Sequence, residues 1–225
     1  MIDKEKHWAS LFSEAKHGHI LWDGNSENGT DPSLAYLTSI QFVEHAEFLG
    51  FFKPKDKVLD LGCGNGRFAT VLCDKNVEYF GIDPCKGSIE FCESIFWIYD
   101  NLHFSFVDIY NESFNPKGSI KPEEYKIPFD DGTFDNVIVY SVFTHLQTLP
   151  AAQNYVNEVR RVLKTGGKMF CTWYRSPPNE VTDYIGRTCY PENEIMNMLT
   201  GLKFDYTYGG HASDYYDQWA LFCTK

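Results

Sequence analysis

The feature that most constrains this chain is the run Asp60-Leu61-Gly62-Cys63-Gly64-Asn65-Gly66, set between an apolar stretch and a helical pattern. KVLDLGC over 57–63 reads as a buried strand, and the periodicity beyond it reads as a helix from about Arg67 to Lys75. Glycines at alternate positions let the backbone turn tightly and let a ligand approach with no Cβ in the way. The helix that follows offers free N–H groups and the positive end of its dipole. A strand, a glycine turn and a helix in that order belong to an open α/β sheet, where ligands bind at the carboxyl ends of the strands.

The rest of the chain repeats the alternation. YFGID (79–83), HFSFVD (103–108), FDNVIVY (134–140) and KMFCTWY (168–174) read as strands. Residues 86–99, 149–164 and 191–202 read as helices, and FDYTYG and QWALFCTK as two closing strands that pair as a hairpin. This predicts an α/β fold: a doubly wound, mostly parallel seven-stranded sheet with an antiparallel edge strand. Residues 1–50 read as an N-terminal helical cap around the polar loop 23–29, with Asp31 and Pro32 opening a helix. Residues 51–225 are the main domain, with an irregular, proline-rich insertion at 109–128.

The 225 residues carry a formal net charge of −11 and no cluster of Lys and Arg. Gripping nucleic acid requires such a cluster to displace counterions, so no nucleic-acid partner is expected, nor an anionic membrane surface. Cys63, Cys73, Cys85, Cys92, Cys171, Cys189 and Cys223 are odd in number and form no C-x-x-C pair. They read as buried thiols in a reducing cytoplasm, and no metal site is expected. No signal peptide or membrane span is read, so no membrane insertion is expected.

Two acidic residues stand where a nucleoside would be recognised. Asp83 ends the second strand, and an acid there can accept from both ribose hydroxyls. Asp108 ends the third strand and can accept from an adenine amino group. A nicotinamide enzyme is one reading of such a sheet, but the glycine spacing here is G-x-G-x-G and not G-x-G-x-x-G.

VLDLGCGNGRFA (58–69), GIDP (81–84), FVDI (106–109), FDNVIVYSVFTHL (134–146) and EVRRVLKTGGKMFCTWY (158–174) resemble the successive motifs of the class I S-adenosylmethionine-dependent methyltransferases, which share a Rossmann-like fold. The resemblance covers about residues 50–175, and Thr165 departs from the usual proline. The stretch from Ser113 to Leu146 is similar to a subgroup often encoded beside glycan genes. The resemblance implies S-adenosylmethionine as cofactor and S-adenosylhomocysteine as product. It implies that Asp60, Gly62, Cys63, Gly64 and Gly66 hold the methionine and ribose portion, Asp83 the ribose hydroxyls, and Pro84 the adenine face. Asp108 and Ile109 would recognise the adenine edge, with Tyr140 and Ser141 near the methyl group.

A hydroxyl acceptor needs a positioned base, and His145, just after the fourth strand, is the candidate. The alternative is that His145 only orders its loop. Trp8, Trp22, Tyr36, Trp173, Tyr174, Arg175 and Tyr190 are candidate pocket walls, of which Trp22, Tyr36, Trp173 and Arg175 are taken as acceptor-binding. The resemblance points to O-methylation of a small-molecule acceptor: a sugar, glycan precursor or phosphorylated metabolite. An N-methyltransferase, a natural-product or lipid methyltransferase, a non-catalytic cofactor-binding module and an NAD-dependent oxidoreductase stay open as alternatives. A monomer or homodimer is expected.

Overall fold

Each central strand is almost continuously apolar because helices cover both faces of the sheet. The computed structural model describes residues 32–178, 180–184, 186–208 and 218–225. Strands β1 (Lys57–Leu61), β2 (Glu78–Asp83), β3 (Leu102–Phe106), β4 (Phe134–Val139) and β5 (Leu163–Ser176) lie in the order β3-β2-β1-β4-β5, all parallel. Beyond β5 runs β9 (Gln218–Thr224), antiparallel to β5 and to the outer strand β8 (Lys203–Tyr208). These are the seven strands expected, closed by the expected antiparallel hairpin.

One element was not foreseen. β6 (Thr182–Tyr184) and β7 (Arg187–Pro191) form a further hairpin, and β7 adds parallel to the far end of β5 through Arg175 and Ser176. β5 is longer than expected at both ends, which gives β7 its docking edge.

Period-two alternation sorts the strand residues into two cores. Leu59, Leu61, Val137, Val139, Met169 and Cys171 face α4 (Leu149–Val162) and α5 (Glu192–Met198). Val58, Tyr79, Ile138, Phe170 and Phe222 face α1 (Pro32–Phe48), α2 (Arg67–Leu72) and α3 (Lys86–Phe96). Helix α4 starts where Thr148 Oγ1 accepts from Ala151 N at 3.2 Å, a cap worth about 1 kcal/mol. It buries Ala151, Ala152, Tyr155, Val156, Val159 and Val162 along one face.

Helix α1 is docked on the second core. Val43 and Ala46 are buried, and Phe42 packs on Tyr140 and Phe170. Trp8, Trp22, the 23–29 loop and Asp31 lie outside the described residues, as does the side chain of Tyr36.

The insertion is fastened to α4. Asn154 Nδ2 donates to the carbonyls of Pro122 (2.9 Å) and Tyr125 (2.8 Å), and Ile127 N donates to Glu158 Oε2 at 2.8 Å. Arg161 bonds the carbonyls of Ile127 and Phe129 while pairing with Glu158 and Asp131. The later half of the proline-rich segment, with its short 3-10 turn Pro122–Glu124, is thus held by α4 side chains.

Candidate cofactor and acceptor site

The sheet order changes direction between β1 and β4, and the loops after those strands flank the resulting crevice. After β1 the chain turns through Gly62 and Gly66, with φ of 81° and 82°. A Cβ on Gly62 would meet Val142 Cγ2 at 2.5 Å, and one on Gly66 would meet Phe96 Cε2 at 2.6 Å. Only glycine satisfies both the dihedral and the space at these two positions. At Gly64, by contrast, an added Cβ would meet nothing within 4 Å, so the space beside that backbone is open.

Asp83 is tied to this turn. Its Oδ2 accepts from Gly64 N at 2.8 Å and its Oδ1 from Cys85 N at 2.7 Å. Burial raises its pKa, and the two backbone bonds oppose that rise. The result is an oriented carboxylate at the tip of β2. Its remaining lone pairs suit a pair of hydroxyl donors.

Asp60 is more deeply set. It is 1% exposed and accepts from the Tyr79 hydroxyl at 2.6 Å. Its pKa is pushed up to about 7, chiefly by burial. Asp83 adds to that rise, while Tyr79 and the Arg67 guanidinium oppose it. Arg67 itself lies over the Tyr140 ring, 4.7 Å from its centroid.

Asp108 organises the insertion. Its Oδ1 accepts from Asn115 Nδ2 at 3.1 Å and its Oδ2 from Ser119 Oγ at 2.6 Å, which hold its pKa below the usual carboxylate value. Ile109 is buried, and its carbonyl accepts from Asn115 Nδ2 at 3.1 Å. Pro84 is half-buried beside Asp83.

On the other side of the crevice, Ser141 follows β4 with φ of 58°. A left-handed serine costs on the order of 1–3 kcal/mol and persists only where its surroundings fix it. Here Ser141 N donates to Thr172 Oγ1 at 2.7 Å, and its carbonyl accepts from Thr144 Oγ1 at 2.9 Å. Those bonds aim the short turn Phe143–His145 along the crevice edge. His145 is half-buried with Phe114 edge-on at 5.0 Å, and its pKa is lowered by burial and then by Arg187.

Three expected wall residues, Trp173, Tyr190 and Arg175, belong elsewhere. Trp173 has no exposed surface. It stacks on Phe143 with centroids 3.6 Å apart and meets Tyr190 edge-on at 5.4 Å. It lies on a strand face covered by the Phe143–His145 turn and by β7, so it is a core residue. Tyr190 is likewise fully buried, its hydroxyl donating to the Leu146 carbonyl. Arg175 is buried where β7 joins β5, with Nη1 3.4 Å from Glu192 Oε2 and its guanidinium 5.3 Å from the Trp219 ring. Tyr79, Arg67, Phe114 and Arg187 were missed. Tyr79 had a readable signal, since β1 and β2 pair Val58 with Tyr79 and so set Tyr79 on the same face as Asp60. Arg187 had none, because its hairpin was not foreseen.

An oriented acid at the tip of β2, an open glycine backbone after β1 and a strained turn after β4 define a nucleoside-binding α/β protein. Residues 59–171 match the family model of the methyltransferase domain, and the chain belongs to the class I S-adenosylmethionine-dependent methyltransferase family. Its cofactor is S-adenosylmethionine, which sets aside the nicotinamide alternative. An uncharacterized methyltransferase of Schizosaccharomyces pombe is 34% identical over 177 residues, 76% of this chain and 57% of that protein. A "Probable tRNA methyltransferase 9B" of Mus musculus is 27% identical over 172 residues, 74% of this chain and 31% of that protein. The O-antigen chain terminator bifunctional methyltransferase/kinase WbdD of Escherichia coli is 32% identical over 146 residues, 65% of this chain and 18% of that protein. The chain therefore spans just over half the length of the first relative and less of the other two. A SAM-dependent methyltransferase from Methanosarcina mazei has the same fold, with a TM-score of 0.59 at 17% identity over 80% of this chain and 96% of that one. Among the described residues, no helix is long and apolar enough to cross a membrane, and no group of His, Cys, Asp and Glu is placed to hold a metal ion.

Proposed function

We propose that this chain transfers the methyl group of S-adenosylmethionine to a hydroxyl oxygen of a small-molecule acceptor, a sugar, glycan precursor or related metabolite. The observation that carries the cofactor part is Asp83, fixed by Gly64 N–H and Cys85 N–H beside an open glycine backbone. Asp83 would take the ribose hydroxyls, with Pro84 on the adenine face and Asp108 and Ile109 at the adenine edge. The backbone of Gly62, Cys63, Gly64 and Gly66, with Asp60, Tyr140 and Ser141, would line the methionine end. The bound cofactor supplies a sulfonium methyl that is already activated, so the protein must align the acceptor and exclude water. Such alignment contributes roughly 7–11 kcal/mol in well-oriented systems.

His145 is the base in this reading. Burial and the nearby Arg187 charge hold its pKa below the ordinary value, so the imidazole is neutral at pH 7 and able to take the hydroxyl proton. The small-molecule acceptor is supported by the net charge of −11, and the sugar class by the O-antigen terminator among the relatives. Seven free cysteines fit a cytoplasmic protein, acting as a monomer or homodimer. The relative named for tRNA favours a second reading, methylation of a nucleic acid.

Calorimetric titration of S-adenosylhomocysteine into wild type and Asp83→Ala tests the cofactor site. Binding weakened tenfold or more by Asp83→Ala is expected, a loss of about 1.4 kcal/mol. Radiolabelled methyl transfer is then compared between sugar, sugar-phosphate and phenolic acceptors and bulk tRNA. Transfer to tRNA alone would replace the first reading with the second.

A further inference from the structure

The β6–β7 hairpin lies in sequence between β5 and α5, and β7 packs beside the Phe143–His145 turn. Two sets of contacts fix the placement. β7 is anchored at β5 by Arg175 and Ser176 and at the loop after His145 by the Tyr190 hydroxyl on the Leu146 carbonyl. The Arg187 guanidinium lies over the Tyr174 ring, 5.2 Å from its centroid. Its positive charge adds to burial, the larger cause, in lowering the His145 pKa. Arg161 and Arg175 are paired with carboxylates, whereas no carboxylate among the described residues lies within 4.0 Å of Arg187. The nearby Asp183 accepts from Gly186 N at 3.0 Å within the hairpin turn.

A half-buried guanidinium is partly stripped of water, and stacking on Tyr174 holds its plane in place with no carboxylate of the described residues paired to its donors. Two cations side by side at the rim would repel. The pairing of Arg187 with a histidine works only if the histidine stays neutral or an anion bridges the two.

We propose that Arg187 is the anion-recognition residue of the acceptor site, and that the acceptor is a hydroxyl compound bearing a phosphate or carboxylate close to the oxygen that is methylated. This inference rests on the methyltransferase reading above and specifies its substrate class. Arg187 takes the anion through its N–H donors while His145 takes the proton from the neighbouring hydroxyl. Phe114, edge-on to His145, is an apolar neighbour of that base. A single recognising guanidinium on a chain of net charge −11 favours small monoanionic or dianionic acceptors over polyanions.

The test uses the full-length protein saturated with S-adenosylhomocysteine, and inorganic phosphate as probe, with acetate as the carboxylate arm. The His145 imidazole proton resonance, assigned by its loss in His145→Gln, is followed against pH with and without probe. In wild type, phosphate, acetate or both raise the His145 pKa; in Arg187→Gln neither does, and Arg187→Lys retains part of the response. Sugar-phosphate and uncharged sugar acceptors are compared in parallel. Arg187→Gln raises KM for the charged acceptor tenfold or more and leaves an uncharged one unaffected. Equal responses in wild type and Arg187→Gln, or no response to either anion in wild type, overturn the proposal. Unchanged S-adenosylhomocysteine affinity in Arg187→Gln shows that the variant is folded. If wild type itself does not bind S-adenosylhomocysteine, the methyltransferase reading fails, and this inference with it; cofactor binding without an anion response rejects the inference alone.

Discussion

The Tyr79 hydroxyl donates to Asp60 Oδ2 at 2.6 Å, joining the start of β2 to the end of β1 inside the second core. Both residues are almost without solvent exposure, so no water replaces this bond if it is lost. Gly81, opposite Asp60 in the β1–β2 register, is packed by Cys63 and Phe104, each of which a Cβ there would meet at 2.9 Å. Tyr79→Phe removes the donor and leaves a buried carboxylate short of a partner, at a cost of about 1–3 kcal/mol. Urea denaturation is expected to show that loss, together with several-fold weaker S-adenosylhomocysteine binding. An unchanged midpoint and affinity would mean that Asp60 is held by other groups.

The same pair has a pH signature in the cofactor-free protein. The Asp60 carboxyl is pushed up to about 7 from an ordinary value of 3.8. The folded protein then binds a proton more readily than the unfolded chain between those two values. Stability from this group is fully present below about pH 4 and is lost as pH rises through about 7. Asp60→Asn is expected to remove that slope, leaving a denaturation midpoint flatter between pH 5 and 7 than in wild type. Identical slopes in the two proteins would place the Asp60 pKa near its ordinary value.

Gly62 tests the glycine turn. Gly62→Ala faces a left-handed φ of 81° and a Cβ 2.5 Å from Val142 Cγ2. A loss of about 1–3 kcal/mol of stability and at least tenfold of cofactor affinity is expected. Adding Val142→Ala relieves the clash but not the dihedral, so the double variant recovers only part of both. Full recovery would show that space alone, and not backbone conformation, demands glycine.

How much of this was legible beforehand depended on how local the determining interactions are. The strands and the glycine turn were, because apolar runs bounded by Gly62–Gly66 and by Asp83 are local patterns. The helix expected to run to residue 164 ends at Val162, since Leu163 pairs with Phe134 and joins β5. That choice is made by a strand distant in sequence. Trp173 was expected on a pocket wall, but aromatic type says nothing of which face of a strand is covered. The covering elements, the Phe143–His145 turn and β7, come from elsewhere in the chain. Arg187 was invisible for the same reason. Its hairpin exists because β5 extends far enough to pair with β7, a property of the sheet and not of the RTCYP segment.

Trp173 therefore predicts stability without specificity. Trp173→Ala opens a large hole against Phe143 and Tyr190 and is expected to cost roughly 3–5 kcal/mol, and Trp173→Phe distinctly less. For Trp173→Phe, thermal denaturation falls while KM for any acceptor found stays within a factor of about two, since 1.4 kcal/mol would be tenfold. A change in KM without a change in stability would return Trp173 to the pocket wall.

The last prediction concerns His145 and the direction of its titration. Burial and the Arg187 charge both disfavour the imidazolium, so the pKa lies below 6.5 and the base form is the dominant one at neutral pH. If His145 removes the acceptor proton, kcat/KM rises with pH through that lowered pKa and levels off above it. Replacing Arg187 with Gln withdraws the positive neighbour, so the acid limb moves to higher pH even as the plateau falls. His145→Gln abolishes the limb and lowers the plateau by about 100-fold or more, the usual contribution of a positioned base. A His145→Gln enzyme with the wild-type plateau would leave His145 as a residue that only orders its turn. A limb that stays fixed in Arg187→Gln would show that burial alone sets the imidazole's proton affinity.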